Sequence, residues 1–127
     1  PLSTASFNGR LEIAKYLIQK GARVTQTNRD GNTPLHVAAF MCQAEITKLF
    51  LEKGASVRKK NNRGESAIDV LSSPWDEGLE TFYSSLINSS AVDLTIEQIK
   101  ALRPQVLKLL RNKEAKSNLQ AQALNRP

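Results

Sequence analysis

The chain has 127 residues, 40% hydrophobic and 24% charged, with a net charge of +6. That length fits one domain of ordinary soluble composition, able to bury roughly two-thirds of its unfolded surface, and it lacks the apolar run of roughly 20 residues that a membrane-spanning helix needs. With Cys42 the only cysteine and His36 the only histidine, an intramolecular disulfide and a soft-ligand metal site are excluded, and no cofactor is expected. A lone thiol slightly favours a reducing, cytoplasmic setting and otherwise leaves the compartment open. The charge lies in blocks. Residues 1–73 carry eleven bases and six acids, 74–93 four acids and no base, and 94–127 seven bases and two acids. Such a balance favours acidic partners and says little about fold.

From the first residue the chain repeats itself at a spacing of 33. Pro1-Leu2 returns as Pro34-Leu35, Glu12-Ile13 as Glu45-Ile46, Gly21-Ala22 as Gly54-Ala55, Val24 as Val57, Asn28 as Asn61 and Gly31 as Gly64. A fixed period of this length marks a solenoid, in which each unit buries its apolar side only against its neighbours. Pro1 stands in mid-unit, so the chain is expected to be a fragment or a processed form, with any targeting segment upstream out of sight.

The central unit, 28–60, reads as turn, helix, tight turn, helix and loop. Asn28-Arg29-Asp30-Gly31 has the chemistry of a reversal, Thr33 that of an N-cap, and Pro34 sits at the first helical position, where its missing N–H costs nothing. Cys42-Gln43 ends the first helix. Ile46, Leu49 and Phe50 describe a second that buries one stripe and stops at Lys53-Gly54. The first unit, 1–27, is partial. The third, 61–90, keeps Asn61-Asn62-Arg63-Gly64 and Ser66 but starts its second helix only after Ser73-Pro74-Trp75. Beyond it the period is lost. Thr95 with Gln98 forms a capping box for a short helix ending near Leu102, Arg103-Pro104 breaks it, and Pro104 opens another with Val106, Leu107, Leu109 and Leu110 on its apolar side. This helix pair, 91–115, is expected to cap the exposed end of the solenoid. Residues 116–127 read as a polar tail with only Leu119 and Leu124 to anchor it, either a frayed helix or a segment docking on the cap.

Gly31-Asn32-Thr33-Pro34-Leu35-His36-Val37-Ala38-Ala39, followed by Glu45-Ile46 and Gly54-Ala55-Ser56-Val57, resembles the signature of ankyrin repeats. The resemblance covers about residues 1–88 and weakens along the chain: Ser3 and Asp69 stand where the family places histidine, Ala67 where it places proline, and Cys42 where it places glycine. It implies an all-α, ankyrin-like solenoid of helix–turn–helix units joined by hairpin-like loops, with the C-terminal helix pair as cap. It implies a non-enzymatic, monomeric module that binds a partner protein along a groove lined by turn tips and first helices. The family's variable positions fall on Phe7 and Asn8 in the first unit, on Arg29, Asp30, Asn32, Phe40 and Met41 in the second, and on Asn62, Arg63 and Glu65 in the third. Phe7 and Phe40, one period apart, with Met41 would form an apolar strip between charged tips, as at a protein interface, or lie partly buried between units. The expected partner presents an acidic rim around an apolar patch.

Other constellations have simpler accounts. The resemblance gives His36 a hydrogen-bonding role between turns, and no nucleophile–histidine–carboxylate set converges on it. Asp76, Glu77 and Glu80 gather at a helix N-terminus, where the macrodipole favours negative charge, and no glycine-centred loop suits calcium. Trp75 reads as a plug over the irregular third unit, and Cys42 as a small space-filler. Arg58-Lys59-Lys60 with Arg63 is a basic loop without the aromatic residues or groove-fitting helix of nucleic-acid readers. Binding of nucleic acid or anionic surfaces through this loop and the basic C-terminal helix is the rival reading, distinguished by steep salt dependence. A structural or regulatory segment of a larger protein is a third.

Overall fold

The computed structural model describes residues 2–72, 74–89 and 94–124, the stretch 117–124 by backbone alone. Pro1, Ser73, Asp93, residues 125–127 and the expected anchor side chains Leu119 and Leu124 therefore lie outside the described parts. Six α-helices and one 3-10 turn make up the fold, with no strand among the described residues: α1 (Leu2–Asn8), α2 (Leu11–Gln19), α3 (Pro34–Phe40), α4 (Ala44–Glu52), the 3-10 turn (Asp69–Leu71), α5 (Glu77–Asn88) and α6 (Ile96–Leu124).

Local chemistry sets the boundaries. Thr33 accepts the His36 backbone N–H at 3.3 Å, and His36 Nδ1 accepts the Thr33 N–H at 3.1 Å, a reciprocal cap that opens α3 with Pro34 in its first turn. The helices α2 and α4 both end in glycines of positive φ, Gly21 at 98° and Gly54 at 89°. Just beyond them the Ala22 N–H donates to the Leu17 carbonyl and the Ala55 N–H to that of Phe50, each at 2.9 Å, which satisfies carbonyls that the helix leaves unpaired.

The helices pack in two rows. In the first, α1 lies on α3 and α3 on the 3-10 turn; in the second, α2 lies on α4 and α4 on α6. One continuous core runs through both rows, from Leu2 and Ala5 through Leu35, Ile46 and Phe50 to Ile99, Val106 and Leu110. Leu35 is buried and Leu49 half-buried, as stacked units require. Burying each large apolar side chain contributes about 1.5–3 kcal/mol.

The C-terminal third corrects the sequence reading twice. The two expected cap helices are one helix, α6, which carries Pro104 inside it and runs on through most of the expected tail. Ile99, Arg103, Val106 and Leu110 are all buried, and their spacings of four, three and four keep one stripe in register across the proline. Pro104 lies on the exposed side, so its ring disturbs only the solvent edge. The expected capping box at its start is present: the Thr95 N–H donates to Gln98 Oε1 at 2.9 Å, and the Gln98 N–H to Thr95 Oγ1 at 3.2 Å. The second correction concerns order. α6, and not α5, follows α4 in the second row. α5 has left the row, and its Tyr83 hydroxyl donates to the Phe40 carbonyl at the end of α3, at 2.6 Å.

Candidate functional site

The turn tips are held together by side-chain amides. Asn28 Oδ1 accepts the backbone N–H groups of Asp30 and Asn32, and Asn61 Oδ1 does the same for Arg63 and Glu65 one period later. Successive tips are then tied to each other: Asn61 Nδ2 donates to Asn32 Oδ1 at 2.8 Å, Asn62 Nδ2 to the Arg29 carbonyl at 2.9 Å, and the Asn62 N–H to the Asp30 carbonyl at 2.9 Å. This contact explains Gly31, at φ 77°: a Cβ there would lie 2.8 Å from the Asn62 backbone nitrogen.

His36 links the second unit to the third. With Nδ1 accepting from Thr33, its Nε2–H donates to the Glu65 carbonyl at 2.8 Å, the arrangement of a neutral ring. Burial lowers its pKa, against the raising effect of the Glu65 carbonyl. In the third unit Asp69 occupies the equivalent place. Its Oδ2 accepts the Ser66 N–H at 2.8 Å and its own N–H donates to Ser66 Oγ at 3.2 Å, and that Ser66 N–H is the leading cause of its lowered pKa. A carboxylate reproduces the local cap but has no proton to hand to a next tip, and the link from tip to tip stops there.

Beneath the tips lies a cavity of about 350 Å³. Phe7 of α1, Val37 and Phe40 of α3 and Val70 of the 3-10 turn form one side, Leu79 and Phe82 of α5 the other, and Asp30, Asn32, Asn61, Arg63 and Glu65 the rim. Phe40 is stacked on Tyr83 at 4.8 Å and meets Phe82 edge-on at 5.8 Å. Burial raises the Tyr83 hydroxyl pKa, keeping it a donor.

Of the residues singled out from sequence, Phe7, Asp30, Asn32 and Phe40 come together around this cavity with Arg63 and Glu65. Met41 differs from expectation: it lines the cavity but is fully buried at the end of α3, so it forms no exposed strip. Asn8, Arg29 and Asn62 are not in the lining, and Asn62 spends its amide between tips. Val37 and Val70, one period apart, escaped the reading although the period offered that signal. Leu79 and Phe82 carried no such signal, since they belong to the segment that left the pattern.

The rim sets the carboxylates of Asp30 and Glu65 against the single guanidinium of Arg63, and the exposed Arg58, Lys59 and Lys60 lie outside the lining. Asp76 caps α5, its Oδ1 accepting the Leu79 N–H at 2.7 Å. Trp75 is a plug: its ring is stacked on Tyr83 at 5.7 Å, its Nε1–H donates to Glu80, and Arg103, which donates to the Leu71 carbonyl at 3.0 Å, lies over the ring at 5.7 Å. Cys42 is buried and its thiol pushed up to about 12 by that burial. No cluster of three or more metal-ligating side chains occurs among the described residues, nor a helix long and apolar enough to cross a membrane. Against known proteins, a family model described as ankyrin repeats, in three copies, matches residues 1–67. No curated protein matches the chain.

Proposed function

Because the chain belongs to the ankyrin-repeat family, whose members are generally protein–protein interaction modules and typically not enzymes, we propose that it binds a partner protein along the trough between its turn tips and first-row helices. The observation that carries this reading is one lining drawn from three successive units, Phe7 from the first, Phe40 from the second and Val70 from the third, under a polar rim. An apolar centre inside a polar rim is the anatomy of an interface. The amide ties between tips and the His36 link hold that rim in place before any partner arrives, so binding costs little ordering entropy.

Affinity capture from a cell extract on the immobilised chain, at low and at physiological salt, tests the reading. Proteins held by the trough persist through the salt step and through replacement of Arg58, Lys59 and Lys60 by serine, and are lost when Val37→Arg puts a charge in the lining. An unchanged set on the Val37→Arg protein sinks it. A set lost instead with salt and with the serine variant favours an electrostatic binder of nucleic acid or anionic surfaces.

A further inference from the structure

The third unit does not merely fade from the repeat pattern. Its second helix leaves the second row to α6 and comes to lie against the end of α3, pinned by the bond from Tyr83 to the Phe40 carbonyl and by Trp75 stacked on the same ring. From there α5 supplies Leu79 and Phe82 to the trough, which thereby gains a second wall. Phe82 keeps 52% of its surface exposed, although its ring has Phe40 beside it. A large aromatic half in water at the mouth of an apolar cavity is a surface awaiting cover. The cavity, at about 350 Å³, falls within the roughly 300–1,000 Å³ of sites that enclose a ligand group.

In the cavity's rim the carboxylates outnumber the guanidinium, two to one. Residues 74–93 carry no base, so the helix that brings Leu79 and Phe82 begins with Asp76, Glu77 and Glu80 and no compensating cation of its own. The rim adds Asp30 and Glu65 against Arg63. Arg58 to Lys60 and α6 are absent from the lining, and the α6 cations Lys100 and Arg103 lie instead over Trp75, outside it. We propose that this walled pocket receives one aromatic or long aliphatic anchor side chain from a partner segment that flanks the anchor with lysine or arginine. The occupant's charge is thus opposite to that expected from the net charge of the chain, because the rim holds more acid than base and the walling helix comes from the acidic block. This proposal rests on the trough being the binding surface, and adds which part of it discriminates and for what.

The test uses the whole chain and three fluorescently labelled peptides on a neutral glycine–serine background: one phenylalanine flanked by arginines, the same phenylalanine flanked by glutamates, and the arginine peptide with serine in place of phenylalanine. The arginine-flanked phenylalanine peptide is expected to bind at least about ten-fold more tightly than either other. Phe82→Ala is expected to remove at least about ten-fold of that affinity while leaving the unfolding transition in place, since the ring is half exposed. If Phe7→Ala weakens binding and Phe82→Ala does not, the trough stands and the anchor pocket falls. Preference for the glutamate-flanked peptide, lost with Phe7→Ala, overturns the charge assignment and also leaves the trough. Binding indifferent to both variants, or absent for every peptide, overturns the proposal.

Discussion

Cys42 shows how one position can answer to two demands. One period after Gly9 (φ 71°) it holds φ 55°, a left-handed conformation that costs a residue with a Cβ about 1–2 kcal/mol. Its side chain is also fully buried, and filling that space offsets the strain. Replacement therefore separates the two effects. Cys42→Gly should be more stable than Cys42→Ala by about 1 kcal/mol in urea unfolding, the reverse of the usual order for these residues; an alanine variant equal to or above the glycine variant would remove strain as the explanation. The family resemblance was enough to mark the slot as one for glycine. It did not reveal that the sulfur is packed, since burial depends on what α3 and its neighbours bring over it. Met41 makes the same point from the other side: the family resemblance named it as a groove residue, and only packing buried it.

Among the elements, α6 is the one where local rules misled. Proline disfavours a helix interior because it lacks an N–H and crowds the carbonyl four residues back, so a break at Pro104 was the expected outcome. The buried stripe of Ile99, Arg103, Val106 and Leu110 against the rest of the fold outweighs that local cost. Pro104→Ala should accordingly stabilise the protein by about 1–3 kcal/mol and raise its helical circular dichroism. A loss of stability would mean that the proline ring itself contributes packing. The register on both sides of Pro104 was legible in the sequence, and reading the two halves as one stripe would have found the single helix. Nothing comparable announced the exchange of places between α5 and α6, because both are amphipathic and either could face α4.

At the scale of the molecule, the stack has unequal ends. On α2, Ile13 is 51% and Tyr16 58% exposed, whereas Ile46, one period after Ile13, is 2% exposed between α2 and α6. Burial on one side only leaves α2 fewer contacts to break on local opening. Amide hydrogen exchange should therefore find the α4 amides protected at least about ten-fold more than those of α2, and equal protection would show that the stack opens as one unit. The period, the caps, the turn glycines and the residues that stack unit on unit were determined by the sequence alone, because each is a short-range rule repeated at a fixed spacing. The tertiary structure alone decided that α5 walls the trough and that α6 completes the second row. Those outcomes depend on which amphipathic helix covers which remaining face, a competition between distant segments that no local pattern encodes.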